Sequence, residues 1–157
     1  MDSIRDCQAP VSLGQFRTSG AVGRRLDKVL HSRILSDFAR DEILAEAVEA
    51  FRSRIDDRME PDIGVWQGEF WGKWMLSAVA ACQYTGSEAL AETIRESVRQ
   101  ILATQDPSGY IGTYYESGFV NSRGGFCWNV WCRKYTLWGL VAAYGLIRDE
   151  AVLQGAC

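Results

Sequence analysis

Two stretches of this chain, 61 residues apart, carry one pattern. Phe70-Trp71-Gly72-Lys73-Trp74-Met75-Leu76 lies over Trp131-Cys132-Arg133-Lys134-Tyr135-Thr136-Leu137, so that a lysine, the large aromatic after it and a later leucine coincide. With one residue inserted, Ser87-Glu88-Ala89-Leu90 lies over Asp149-Glu150-Ala151-Val152. Each unit reads as a buried helix, a short turn, a capped amphipathic helix and a long loop. A period of this size means stacked α-hairpins, none of which buries its apolar face without a neighbour. The fold class is therefore all-α, built of α-hairpin repeats.

The helices follow from apolar spacing. A first, weak one is expected over Arg24–Leu35, with Leu26, Val29, Leu30 and Ile34 on one face. Ile43, Leu44, Ala47, Val48, Phe51 and Ile55 mark a second over Asp41–Ile55, whose other face is charged. The third, Glu69–Tyr84, has Lys73 as its one charge past the first turn and so is buried over most of its circumference. Ser87 caps an amphipathic fourth helix reaching Thr104, with Glu88 and Glu92 at the positive end of its dipole. Asp106-Pro107-Ser108-Gly109 is a turn, in which Pro sets one φ and Gly supplies a positive one. An irregular segment from Tyr110 to Phe126 leads to a fifth helix, Trp128–Ile147, that is apolar nearly all round. The counterpart of the fourth helix would start at Asp149, where nine residues remain and Gly155 disfavours a helix. The sequence thus reads as ending inside a repeating fold, with the fifth helix short of its covering layer.

Charge and composition exclude several classes. With 17 Lys and Arg against 20 Asp and Glu, the net charge of −3 does not suit a nucleic-acid binder. No run approaches ~20 uninterrupted apolar residues, so no membrane partner is expected. Asp2, Arg5 and Asp6 stand where a signal peptide needs an apolar stretch. Residues 1–23, with Gly14, Gly20 and Gly23, read as a flexible polar leader, and the expected location is cytoplasmic. Cys7, Cys82, Cys127, Cys132 and Cys157 form no C-x-x-C pair, and with a single His they assemble no zinc site. No metal ligand is assigned, and the cysteines read as reduced thiols.

Chemistry would sit where the long loops converge at one end of the hairpins. The first loop offers Trp66, Gln67 and Glu69; the second offers Tyr110, Tyr114, Tyr115, Glu116, Trp128, Asn129 and Arg133. Flat aromatic faces beside amides and carboxylates suit sugar rings, whose C–H faces stack while their hydroxyls need partners. Trp71, Trp74, Trp131 and Trp138 lie mid-helix and read as core, whereas Trp66 and Trp128 stand at loop-to-helix junctions. Glu69 and Glu116 are the two carboxylates that could form a glycosidase acid/base pair, a role that requires them ~5–9.5 Å apart. The helix dipole accounts for Glu69 equally well, and simple exposure for Glu116. His31, on an amphipathic helix away from both loops, reads as a surface or core-edge residue.

Four motifs in order carry a family resemblance. They are Gly68-Glu69-Phe70-Trp71-Gly72-Lys73-Trp74, Tyr84-Thr85-Gly86, Gln105-Asp106-Pro107-Ser108-Gly109-Tyr110-Ile111-Gly112-Thr113-Tyr114 and Trp128-Asn129-Val130-Trp131-Cys132-Arg133-Lys134-Tyr135. Together they resemble the N-terminal part of glycoside hydrolase family 127, the β-L-arabinofuranosidase-like enzymes. The resemblance implies that residues 24–157 form part of an (α/α)6 toroid, here incomplete, and that the complete enzyme removes terminal sugars from glycans. At ~50 residues per hairpin, six hairpins need roughly 300 residues. It also implies a zinc-bound cysteine nucleophile and a separate glutamate acid/base in the later hairpins, so neither role is transferred here and this chain alone is expected to be inactive. No cofactor is assigned to these residues; zinc belongs to the complete enzyme by resemblance. A substrate-contacting His of characterised members has no match, the local residues being Trp128 and Asn129. The Trp66–Glu69 stretch and the Gly109-Tyr110 turn match regions lining the sugar pocket. Two other readings stay open. One is a non-catalytic helical module that binds a partner chain or a second copy through the bare edge. The other is a different toroidal carbohydrate-active enzyme, such as an unsaturated-uronide hydrolase or an epimerase.

Overall fold

The computed structural model describes residues 9–54, 66–115 and 128–157. The described residues are helical with no strand. Helix α1 spans Gly20–Val29, α2 Ala45–Ser53, α3 Gln67–Thr85, α4 Glu88–Leu102, α5 Trp128–Ile147 and α6 Glu150–Ala156. α1 starts four residues ahead of the expected Arg24, and its end widens: the Leu35 N–H donates to the Leu30 carbonyl five residues back at 2.8 Å. The turns before α2, Ala39–Leu44, are wound in the same wide register. Among the described residues no helix is long and apolar enough to cross a membrane.

α3 and α5 are parallel neighbours. Gly68 faces Cys132, Gly72 faces Tyr135, and Gly139 meets Trp71 and Gly72, so residue numbers rise together along both helices. Glycine is required at this crossing. A Cβ on Gly72 would overlap the Tyr135 carbonyl group, and one on Gly139 would stand 2.8 Å from the Trp71 ring. Small residues let the two backbones approach where any side chain would hold them apart.

The repeat seen in the sequence is a structural one. Trp71 and Cys132, Met75 and Thr136, Val79 and Leu140, and Cys82 and Ala143 are equivalent pairs, and all eight residues are buried. Ser87 and Asp149 both cap: the Ser87 hydroxyl accepts from the Leu90 N–H at 3.2 Å, and Asp149 Oδ1 from the Ala151 N–H at 2.9 Å. Gly86 and Arg148 end the two long helices with φ of 70° and 59°. α6 forms in spite of Gly155, and tertiary packing is the reason: Gly155 is buried against Leu102, whose methyl group fills the space a side chain would need.

The core centres on Trp71, fully buried among Phe51, Met75, Ile94 and Leu140. Its indole N–H donates to the buried Ser97 hydroxyl at 2.8 Å, and the Phe51 ring meets it edge-on at 6.0 Å. Trp74 and Trp131 are half-buried. Trp138 departs from the expected core position: it is 56% exposed. Part of the stretch expected to be a flexible leader is seated on α3. The Thr18 N–H donates to the Tyr84 hydroxyl at 3.1 Å, and the Arg17 guanidinium lies 4.9 Å from the Tyr84 ring centre. Cys82 is buried and Cys157 exposed, both as free thiols, Cys132 is buried, and Cys7 and Cys127 lie outside the described residues.

Candidate functional site

Because α3 and α5 run parallel and in register, their N-terminal ends lie side by side. Trp66 and Trp128 meet there edge to face, with ring centres 5.5 Å apart. Trp66 is 43% exposed and Trp128 half-buried. Beside Trp66 a cavity of about 230 Å³ is lined by Gln67, Phe70, Ile43, Glu46 and Ala47. Gln67 Oε1 is buried without a hydrogen-bond partner among the described residues.

Glu69 sits in the first turn of α3, at the positive end of the helix, where a carboxylate is stabilised. It is nearly buried, and its Oε1 lies 2.5 Å from Lys73 Nζ, one helical turn on. That bond holds the Lys73 ammonium above its ordinary pKa. Glu116 lies outside the described residues.

The turn after α4 forms as its residues dictate. Asp106 Oδ1 accepts from the Ser108 N–H at 2.9 Å, the Ser108 hydroxyl at 2.5 Å and the Tyr110 N–H at 3.2 Å, while Gly109 takes a φ of 88°. Arg54 reaches across to Asp106 at 3.3 Å and donates to the Thr104 carbonyl at 2.6 Å. The Ser108 hydroxyl leads the groups that lower the Asp106 pKa. Stability that depends on the ionised Asp106 is therefore present above its unfolded pKa of about 3.9 and is lost as pH falls through the lower folded value. Asp106→Asn should lower the melting temperature at pH 7 and lose that deficit relative to wild type on acidification below about pH 4. Melting curves across pH 2–7 check this, and a deficit that persists unchanged at pH 2 would refute it.

The chain then turns inward. Tyr110, Ile111, Thr113 and Tyr114, the start of the irregular segment, are all buried. The Tyr110 hydroxyl donates to the Tyr114 carbonyl at 2.7 Å and lies 3.3 Å from Asn129 Oδ1. Its ring has the Arg54 guanidinium at 5.0 Å and that of Arg133 at 5.5 Å. Burial raises the Tyr110 phenol pKa, and the two guanidiniums oppose that rise. Asn129 is fully buried, with Nδ2 unpartnered among the described residues, as is Thr113 Oγ1 close to Gly68. Of the expected site residues, Trp66, Gln67 and Trp128 thus form an outer group. Tyr110, Asn129 and Arg133 form a second one behind it. Glu46, Phe70 and Thr113 join these groups without having been singled out from the sequence. The Ile43, Glu46, Ala47 spacing puts Glu46 beside an apolar stripe, but only the packed helices show that Trp66 faces it.

Among the described residues the donor set does not fit zinc. Among the described residues no three His, Cys, Asp or Glu side chains gather closely enough to hold a metal. Cys132 lies among Gly68, Tyr114 and Trp128, and burial raises the Cys82 thiol pKa, which works against a thiolate ligand.

A family model of the β-L-arabinofuranosidase GH127 catalytic domain matches residues 22–157. No curated protein and no solved structure matches the chain.

Proposed function

The chain belongs to the GH127 β-L-arabinofuranosidase catalytic-domain family, and from that premise we propose that it supplies the sugar-facing end of a glycoside hydrolase. The observation that carries this reading is the meeting of Trp66 and Trp128 at the parallel ends of α3 and α5. An exposed indole next to a cavity with an amide and a carboxylate offers a sugar ring a face to stack on and partners for its hydroxyls. Tyr110, Asn129 and Arg133 hold that wall in place from behind. Glu69, engaged by Lys73, anchors the start of α3 rather than moving protons. Bond cleavage is assigned to groups other than these.

Calorimetric titration of the 157-residue chain with an arabinofuranosyl disaccharide tests the reading. Binding is expected, with affinity about tenfold lower in Trp66→Ala, since stacking of one ring on an aromatic face contributes about 1–2 kcal/mol. Absence of binding by the wild-type chain, or an unchanged affinity in Trp66→Ala, would remove this wall from the sugar site.

A further inference from the structure

Arg54 closes α2 with a φ of 39°, a left-handed value that favours glycine and strains a residue carrying a side chain. Such a conformation persists where the surroundings hold the residue, and here they hold its guanidinium. The side chain is only 15% exposed. Nη2 donates to the Thr104 carbonyl at 2.6 Å, and Nη1 lies 3.3 Å from Asp106 Oδ2. The guanidinium carbon stands 5.0 Å over the centre of the Tyr110 ring. One group from the end of α2 thus grips the chain just past α4 and the first residue of the segment that turns inward. The turn between them closes by itself, since Asp106 Oδ1 takes the Ser108 and Tyr110 N–H groups. What Arg54 adds is the place of the Tyr110 ring.

We propose that Arg54 is a positioning residue of the sugar site, setting Trp128 against Trp66 through Tyr110 and Asn129. The contacts form one chain. The Tyr110 hydroxyl donates to the Tyr114 carbonyl at 2.7 Å and meets Asn129 at 3.3 Å. Asn129, fully buried in the first turn of α5, directly follows Trp128, whose ring meets that of Trp66 at 5.5 Å. A shift of the Tyr110 ring is therefore passed to the first turn of α5. Arg133 touches the same ring but belongs to α5 and moves with it, whereas Arg54 holds the ring from another helix. Lysine does not replace it. An ammonium is a point donor on a flexible stem and does not span Asp106, the Thr104 carbonyl and the ring at once. The inference rests on reading Trp66 and Trp128 as the sugar wall, and adds the residue outside the wall that fixes it.

Two readouts on the 157-residue chain test this. Indoles this close and nearly perpendicular couple, and their couplet in circular dichroism is assigned by its loss in Trp66→Phe. Calorimetric titration with the arabinofuranosyl disaccharide gives the affinity. Arg54→Lys should shrink the couplet and weaken the sugar about fivefold, less than Trp66→Ala does, because the indole pair is displaced rather than removed. Arg54→Gly relieves the backbone as it removes the guanidinium; it should show the same losses, and millimolar ethylguanidinium should restore couplet and affinity together. Arg54→Lys keeps a charge beside Asp106 and decides the matter alone if Arg54→Gly fails to fold. Ser97→Ala is the control: it weakens the core at Trp71 and should leave both readouts unchanged. An unchanged couplet or affinity in the Arg54 variants, or no recovery with ethylguanidinium, would overturn the proposal. So would equal losses in Ser97→Ala, since both readouts would then follow overall stability. If the wild type and Arg54→Lys bind the disaccharide equally, the sugar wall stands without Arg54; if the wild type binds none, the wall reading falls and the proposal with it.

Discussion

Gly72→Ala should destabilise the chain by roughly 2–3 kcal/mol or more, although alanine is the better helix former by about 1 kcal/mol. The new methyl group would overlap the carbonyl carbon and oxygen of Tyr135 and stand 2.9 Å from its Cβ. These atoms belong to the backbone of a long helix and cannot rotate away. α3 and α5 must therefore separate along their whole contact, which also disturbs Gly139 against Trp71. Gly145 is the control. It lies on the same helix as Gly139 with nothing near its Cβ position, so Gly145→Ala should leave stability unchanged or raise it by up to about 1 kcal/mol. Urea denaturation measures both, and a stabilised Gly72→Ala would mean that the helices do not cross at this residue.

Trp71→Ala should cost about 3–5 kcal/mol, the range for emptying a large aromatic site in a core that relaxes only in part. Trp71 is fully buried and joins four elements: α3 through its own backbone, α2 through Phe51, α4 through Ser97 and α5 through Gly139. Ser97→Ala separates the polar part of this role. It leaves the indole N–H without an acceptor and should cost about 1–3 kcal/mol with no large cavity. In a chain of ordinary stability, about 5–15 kcal/mol, Trp71→Ala alone removes a large share. A loss below about 1 kcal/mol in urea denaturation would show that Trp71 is not the centre of the core.

Helix identity was readable because it depends on local spacing. α5 occupies Trp128–Ile147 as its apolar run indicates, and Ser87 caps α4 as its hydroxyl and position require. The turn at Asp106–Gly109 was equally readable, since Asp, Pro and Gly act on their own backbone. Burial of the site residues was less so. Tyr110 and Asn129 look like polar-aromatic loop residues in one dimension, yet both lie inside because each satisfies part of its polarity on the other. That Asn129 Nδ2, Gln67 Oε1 and Thr113 Oγ1 are buried without partners among the described residues could not be read from the sequence, since a side chain's missing partner is a property of its neighbours.

The repeat itself was determined by the sequence alone: residues 61 apart share burial because a helix of fixed pitch places equal spacings on equal faces. Which of those faces another helix covers was decided only by the tertiary structure. Periodicity groups Trp71, Met75 and Val79 on one side of α3, and Trp131, Lys134 and Trp138 on one side of α5, but it carries no information about where a neighbour stands. The close crossing at Gly72 and Gly139 turned the first group inward and left the second open. The same choice placed Trp66 against Trp128.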